Sequence, residues 1–127
     1  LNKINSYIQK RRKIAGIYLK ELTNTSLKLP TQMEECQHVF HLFTVYHPKR
    51  ELIIKKLRSQ NIEIKIYYPF PIHKMKAYKN IKINKKMKLP FTEKMAKGIF
   101  SLPLFPDLSM SEVYKVIKAL KKILKTI

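Results

Sequence analysis

The sequence is poor in several residues from which catalytic and binding sites are commonly built. Cys36 is its only cysteine, so no intrachain disulfide can form and a reducing, cytoplasmic setting is expected. With only two glycines, Gly16 and Gly98, the chain cannot form a glycine-rich phosphate loop. Its eight acidic residues include no pair that is spaced for acid–base work. Considered alone, the sequence therefore contains no recognisable catalytic set.

Positive charge, by contrast, is abundant, with a formal net charge of +19. Such a surface could attract nucleic acid or an anionic membrane. However, the basic residues are scattered, and nearly all are lysines rather than the arginines that read bases and phosphates bidentately. No apolar run approaches the ~20 residues that span a bilayer. We therefore interpret the charge as a solvated surface and expect neither specific nucleic-acid binding nor a membrane partner.

The hydrophobic pattern predicts one domain over residues 1–127. It begins without methionine or a signal pattern, as expected for a fragment of a longer protein. Helices are predicted at about 2–22, 48–59, 92–98 and from Ser109, where Ser109 and Glu112 form a capping-box pattern. Strands are predicted at 38–46, 62–68 and 99–104, and a mobile surface loop at 79–90. The connections are too short for several parallel crossovers, so the predicted fold class is α/β (α+β), a small antiparallel or mixed three-stranded sheet packed with helices.

Four polar side chains invite a chemical interpretation. His38 and His41 would point to opposite faces of a strand, so we do not expect a shared metal ion or any other metal site. Cys36 has no histidine or acid placed to activate it, and we expect a small buried side chain. Arg11 lies inside the apolar stripe of the first helix. Either its stem packs while its charged head reaches water, or a carboxylate elsewhere pairs with it.

The segment 64–78 is the most distinctive part of the chain. Pro69 and Pro71 lack a backbone donor, so the predicted strand cannot continue through them and should leave the sheet as a stiff loop. This loop should present three rings at the end of the sheet, those of Tyr67, Tyr68 and His73. Rings at such a position either contact a ligand or cover the core, and spacing alone favours the second interpretation.

Several separated motifs, taken in order, resemble the C-terminal part of DegT/DnrJ/StrS-type sugar aminotransferases. The matching stretches are Arg11-Arg12-Lys13-Ile14-Ala15 with Tyr18 and Leu22, His41-Leu42-Phe43-Thr44-Val45 with Arg50 and Leu52, Tyr67-Tyr68-Pro69-Phe70-Pro71-Ile72-His73, Leu89-Pro90 with Thr92-Glu93, and Ser101-Leu102-Pro103-Leu104-Phe105-Pro106 with Leu108 and Glu112. They cover nearly the whole chain.

The resemblance implies the C-terminal small domain of a pyridoxal-phosphate enzyme with the aspartate-aminotransferase fold. Such enzymes move an amino group, usually from glutamate, to a keto group of a nucleotide-linked sugar, in amino-sugar or cell-surface polysaccharide biosynthesis. The Schiff-base lysine and most cofactor contacts would belong to an N-terminal large domain that is absent here, in a homodimer. No lysine of this chain is therefore predicted to be catalytic, and the fragment alone should be inactive.

The resemblance also implies that Tyr67, Tyr68 and His73 line the sugar-nucleotide site. A tyrosine can stack on a sugar or donate to a hydroxyl or phosphate, and histidine can do either near neutral pH. Glu93 and the stretch 101–106 are interpreted as structural. Two alternatives remain open, namely a stand-alone basic domain that binds single-stranded nucleic acid through its lysines and this loop, and a degenerate gene remnant.

Overall fold

A computed structural model describes residues 2–78, 80–81 and 87–127. These residues form helix α1 (Ile4–Leu22), strand β1 (Phe43–Tyr46), helix α2 (Arg50–Arg58), helix α3 (Pro90–Gly98), strand β2 (Ile99–Leu102) and helix α4 (Met110–Leu124), with 3-10 turns at Ile72–Lys74 and Lys76–Tyr78. The predicted class, helices packed on a small antiparallel sheet, is confirmed. Part of the loop predicted at 79–90 lies outside the described residues. None of the described helices is long and apolar enough to cross a membrane.

The sheet contains two regular strands rather than the three predicted. β1 and β2 pair antiparallel, with Phe43 opposite Leu102 and Tyr46 opposite Ile99. A single bridge joins Lys28 to Tyr46 at one edge, and another joins Lys65 to Ser101 at the other. The third strand predicted at 62–68 is thus reduced to one bridge.

The alternation predicted for 62–68 is nevertheless present in the burial of its side chains. Ile62 and Ile64 are buried, whereas Glu63 and Lys65 are exposed. Only Lys65 pairs with β2. In this antiparallel register Glu63 lies opposite Pro103, which follows the end of β2 and has no backbone N–H to donate, so the pairing cannot extend in that direction.

The strand predicted at 38–46 was too long, since β1 begins only at Phe43. Phe40 has a left-handed φ of 48°, which an extended strand cannot contain. Side chains of α1 bind the preceding backbone instead, because Arg12 donates to the carbonyl of His38 at 3.0 Å and Arg11 to that of His41 at 2.9 Å. The prediction that His38 and His41 lie on opposite faces of a strand is therefore wrong, because neither residue lies in a strand.

The core lies between the sheet and helices α1, α2 and α4. Phe43 is fully buried, and its ring centroid lies 5.1 Å from that of Tyr18 on α1. The hydroxyl of Tyr18 donates to the carbonyl of Pro103 at 2.9 Å, and burial raises its pKa above the usual value. α4 buries five large apolar side chains on one face, those of Val113, Val116, Ile117, Leu120 and Ile123. The capping box at Ser109 and Glu112 is confirmed.

Several local predictions need correction. Among the described residues Arg11 pairs with no carboxylate, because its half-buried guanidinium donates to backbone carbonyls, including that of Leu104 at 3.2 Å. Cys36 is exposed, since its loop has few neighbours to bury it. α2 begins at Arg50 rather than at Pro48, and α3 begins at Pro90 rather than at residue 92. Ile53, Ile54 and Leu57 form the buried face of α2.

Candidate functional site

The loop that follows Lys65 presents its two tyrosines to solvent, whereas spacing alone favoured rings that cover the core. The side chains of Tyr67 and Tyr68 are 41% and 72% exposed, and their rings meet edge to face with centroids 6.4 Å apart. Tyr67 borders an open cavity of about 410 Å³, which Lys65 and Glu112 also line. Tyr68 borders a second, more apolar cavity of about 520 Å³. The two neighbouring tyrosines therefore line two different cavities.

His73 does not share this exposure. It lies in the 3-10 turn Ile72–Lys74, and only 9% of the residue is exposed. Its Nε2 atom lies 3.1 Å from Oε1 of Glu93 on α3. The structure thus brings Tyr67 and Tyr68 to the surface together and turns His73 inward against α3.

Glu93 ties this loop to α3 through both carboxylate oxygens. Lys74 donates to Oε2 at 2.5 Å, His73 meets Oε1, and the backbone N–H of Leu89 lies 3.4 Å from the same oxygen. The bonds from Lys74 and then His73 lower the pKa of Glu93 to about 2. The carboxylate is therefore ionised at neutral pH and can only accept hydrogen bonds, so Nε2 of His73 must carry the proton.

Sequence reasoning assigned Glu93 only a structural role and missed this cluster. The signal in the sequence was slight, namely an acid in the first turn of a predicted helix. Lys74 and His73 lie 19 and 20 residues before it, so no local spacing rule links them.

An exposed apolar surface lies beside the cluster, and we call it the loop patch. It consists of four side chains that are 64–72% exposed: Tyr68, Phe70, Ile72 and Phe91. They surround the 520 Å³ cavity, whose floor includes Met95 and Ile99. Contiguous apolar patches of this kind usually mark a surface that another molecule or domain covers.

The described residues do not form a cofactor site by themselves. A lysine that acts through a Schiff base is typically desolvated in a pocket. Every described lysine is exposed or half-buried, and no group of three or more metal-ligating side chains occurs within the described ranges. The described residues therefore include no desolvated lysine of the kind that forms a Schiff base.

Comparison with known proteins decides the family. The sequence model of the DegT/DnrJ/EryC1/StrS aminotransferase family matches residues 1–121. This chain belongs to that family.

Two curated relatives align over nearly all of the chain but over only part of their own length. The dTDP-3-amino-3,6-dideoxy-alpha-D-galactopyranose transaminase of Aneurinibacillus thermoaerophilus is 38% identical over 90% of this chain and 31% of its own. The dTDP-3-amino-3,4,6-trideoxy-alpha-D-glucose transaminase of Micromonospora megalomicea subsp. nigra is 34% identical over 98% of this chain and 34% of its own. The chain thus spans about a third of these relatives, and it aligns with their C-terminal part.

Solved structures agree with the fold described above. DesV from S. venezuelae superposes with a TM-score of 0.89 at 25% identity, over 100% of this chain and 34% of DesV. NtdA from Bacillus subtilis, solved with the bound cofactor PMP, gives a TM-score of 0.81 at 27% identity, over 94% of this chain and 28% of NtdA. The fold is therefore shared with a segment that makes up about a third of each of these chains.

Proposed function

We propose that residues 1–127 form the C-terminal small domain of a pyridoxal-phosphate-dependent aminotransferase that transfers an amino group, from glutamate, to a keto group of a nucleotide-linked sugar. The observation that carries this proposal is the family match, because it covers nearly all of the chain. The transaminases that match it at 34–38% identity act on dTDP-linked sugars by name. The alignment with only about a third of each relative supports the role of a fragment.

Within this function, the chain contributes substrate contacts rather than the reacting groups. Tyr67 and Tyr68 are exposed at the end of the sheet, where each can stack on a sugar or base or donate to a hydroxyl or phosphate. His73 can take part only through Nδ1, since Glu93 occupies Nε2. The three residues proposed to face the nucleotide sugar are Tyr67, Tyr68 and His73.

The loop patch is the surface proposed to meet the N-terminal large domain, in a cytoplasmic homodimer built mainly by that domain. The patch adjoins Tyr68, and about two thirds of each relative's length lies outside the aligned part. That domain would hold pyridoxal phosphate, which supplies an electron sink when bound. Docking on the patch would exclude water from the tyrosines, and burial strengthens their polar contacts with a substrate.

The test is to read the coding sequence upstream of this chain and to produce the intact protein. We expect a large α/β domain with a lysine that binds pyridoxal phosphate, visible by absorbance, and amino transfer from glutamate to a dTDP- or UDP-linked keto sugar. The 127-residue chain alone, used as the control, should take up no cofactor. The proposal fails if no such domain exists, either in the same frame or as a separate partner.

In the intact protein, Tyr68→Ala should raise KM for the nucleotide sugar while leaving cofactor absorbance unchanged. The physical reason is that Tyr68 is proposed to contact the nucleotide sugar, whereas the cofactor would be held by the N-terminal large domain. A loss of cofactor absorbance in this variant would contradict the assigned role. Nothing in the comparisons supports the alternative of a nucleic-acid-binding module, and tight, steeply salt-dependent retention of an oligonucleotide by the chain would be needed to revive it.

A further inference from the structure

Glu93 on α3 contacts two residues of the loop, His73 and Lys74. We propose that Glu93 is a positioning residue for the nucleotide-sugar site: through His73 and Lys74 it fixes the loop against α3 and so sets where Tyr67 and Tyr68 stand. This inference rests on the proposed function, because it concerns the same site. Glu93 itself need not touch the substrate.

Geometry is the first support for this role. Between Lys65, which is bridged to β2, and the turn at Ile72–Lys74, the loop contains two prolines and no regular strand or helix. The loop is therefore fastened at two ends, by the sheet before Tyr67 and by Glu93 after Tyr68. Removing Glu93 would remove the hydrogen bonds that hold His73 and Lys74 against α3 and would loosen the end of the loop that follows Tyr68.

Burial and charge are the second support. The side chain of His73 is only 5% exposed, and that of Glu93 is 24% exposed, so their hydrogen bond is largely shielded from water. Shielded hydrogen bonds to a charged group are stronger than exposed ones. By comparison, the similar pair of Lys121 and Glu21, which joins α4 to α1, has both side chains at least 32% exposed.

The same bond restricts how His73 can serve a substrate. Because the Glu93 carboxylate accepts at Nε2, only Nδ1 remains for a further hydrogen bond. A neutral ring then accepts from a hydroxyl at Nδ1, whereas a protonated ring donates from it. Exchange of Glu93 for glutamine, which can either donate or accept through its amide, removes this restriction.

The decisive variant is Glu93→Gln in the intact protein, with Glu21→Gln as the matched control that also loses a lysine-paired carboxylate. We expect Glu93→Gln to raise KM for the nucleotide sugar about tenfold, as loss of a hydrogen bond to a charged group implies. KM for the amino donor and cofactor absorbance should not change. Glu93→Asp should recover part of the loss, and Lys74→Met should cause a smaller loss because it leaves the bond to His73.

A purely structural role predicts a different result. If Glu93→Gln lowers the melting temperature but leaves KM for the nucleotide sugar unchanged, the proposal is overturned. An equal rise in KM for Glu21→Gln would overturn it as well, since the effect would then not depend on the loop.

A second measurement separates this inference from the proposed function. In the 127-residue chain, nitrogen NMR of His73 should show a proton on Nε2, and Glu93→Gln should shift the amide signals of Tyr67 and Tyr68. If the intact protein transfers no amino group but these signals move, the proposed function fails while the positioning role stands. If the tyrosine signals do not move, the positioning role is wrong regardless of activity.

Discussion

The two sides of this domain satisfy their chemical groups in different ways. On the side of α1, α4 and the sheet, the groups of the core are satisfied within the chain: apolar side chains such as Phe43 are buried, although Tyr7 and Tyr114 stay exposed, and Arg11 binds backbone carbonyls. On the loop side, the polar groups of His73, Lys74 and Glu93 are paired, yet the loop patch stays exposed. Such a surface is suited to a permanent partner, because covering its exposed apolar side chains does not take His73, Lys74 or Glu93 away from their partners.

The largest expected effect comes from comparing two substitutions, each of which truncates an aromatic side chain on one side of the domain. Phe43→Ala should lower the free energy of unfolding by about 3–5 kcal/mol, since it leaves a cavity beside Tyr18. Tyr68→Ala removes a ring that is 72% exposed, and it should change the free energy of unfolding by less than about 0.5 kcal/mol. Urea unfolding of the isolated chain measures both. A large loss for Tyr68→Ala would show that the loop patch already supports the fold and is not waiting for a partner.

A smaller effect is expected at the junction of the two sides, where α3 passes into β2. A Cβ atom added to Gly98 would lie 2.6 Å from Cδ2 of Tyr46 and 3.0 Å from the carbonyl oxygen of His47. Gly98→Ala should therefore cost about 1–3 kcal/mol through forced displacement of β1. Gly16→Ala is the matched control: no heavy atom lies within 4 Å of its added Cβ, and the helix should gain up to about 1 kcal/mol.

Thermal unfolding of the Gly98→Ala and Gly16→Ala variants measures these changes in stability. The two substitutions should shift the melting temperature in opposite directions. If Gly98→Ala is neutral, α3 can move relative to the sheet, and the fastening of the loop to α3 would no longer fix the tyrosines relative to β2.

On the side of α1, α4 and the sheet, local patterns predicted the helices well but not the backbone before β1. Helical spacing of apolar residues placed α1 and α4, and the sequence from Ser109 to Glu112 placed the start of α4, because caps act within four residues. The predicted antiparallel pairing followed from short connections between elements. These features depend on neighbours in sequence, so a single chain reveals them.

What the sequence could not reveal depends on contacts between distant residues. The left-handed Phe40 carries no glycine or asparagine signal, and its neighbouring backbone is bound by arginines about 30 residues earlier. The pairing of His73 with Glu93 likewise joins an irregular loop to a helix 20 residues later. The prolines predicted that the loop leaves the sheet, but neither the exposure of Tyr67 and Tyr68 nor the inward turn of His73 followed from them, because periodicity does not determine tertiary partners.

The smallest expected effect concerns His47, the buried histidine of the side that is satisfied within the chain. Its Nδ1 accepts from the backbone N–H of Lys49 at 3.0 Å, so the neutral ring carries its proton on Nε2 and donates to the hydroxyl of Ser26 at 3.2 Å. Burial, and then repulsion from Lys49, lowers the pKa of His47 below its ordinary value of 6.5. Protonation is thus less favourable in the folded state than in the unfolded state.

Because the unfolded chain binds this proton more readily, the free energy of unfolding should fall as the pH drops below 6.5 and should be constant with respect to His47 above it. His47→Asn can still accept from Lys49 through its side-chain oxygen but does not titrate, so its unfolding curve should vary less between pH 8 and pH 5. Urea unfolding of both proteins at matched pH values isolates the contribution of His47 from that of the other histidines. An identical pH dependence in the two proteins would mean that His47 tolerates its charge, and that this side of the domain is less tightly closed than its buried side chains indicate.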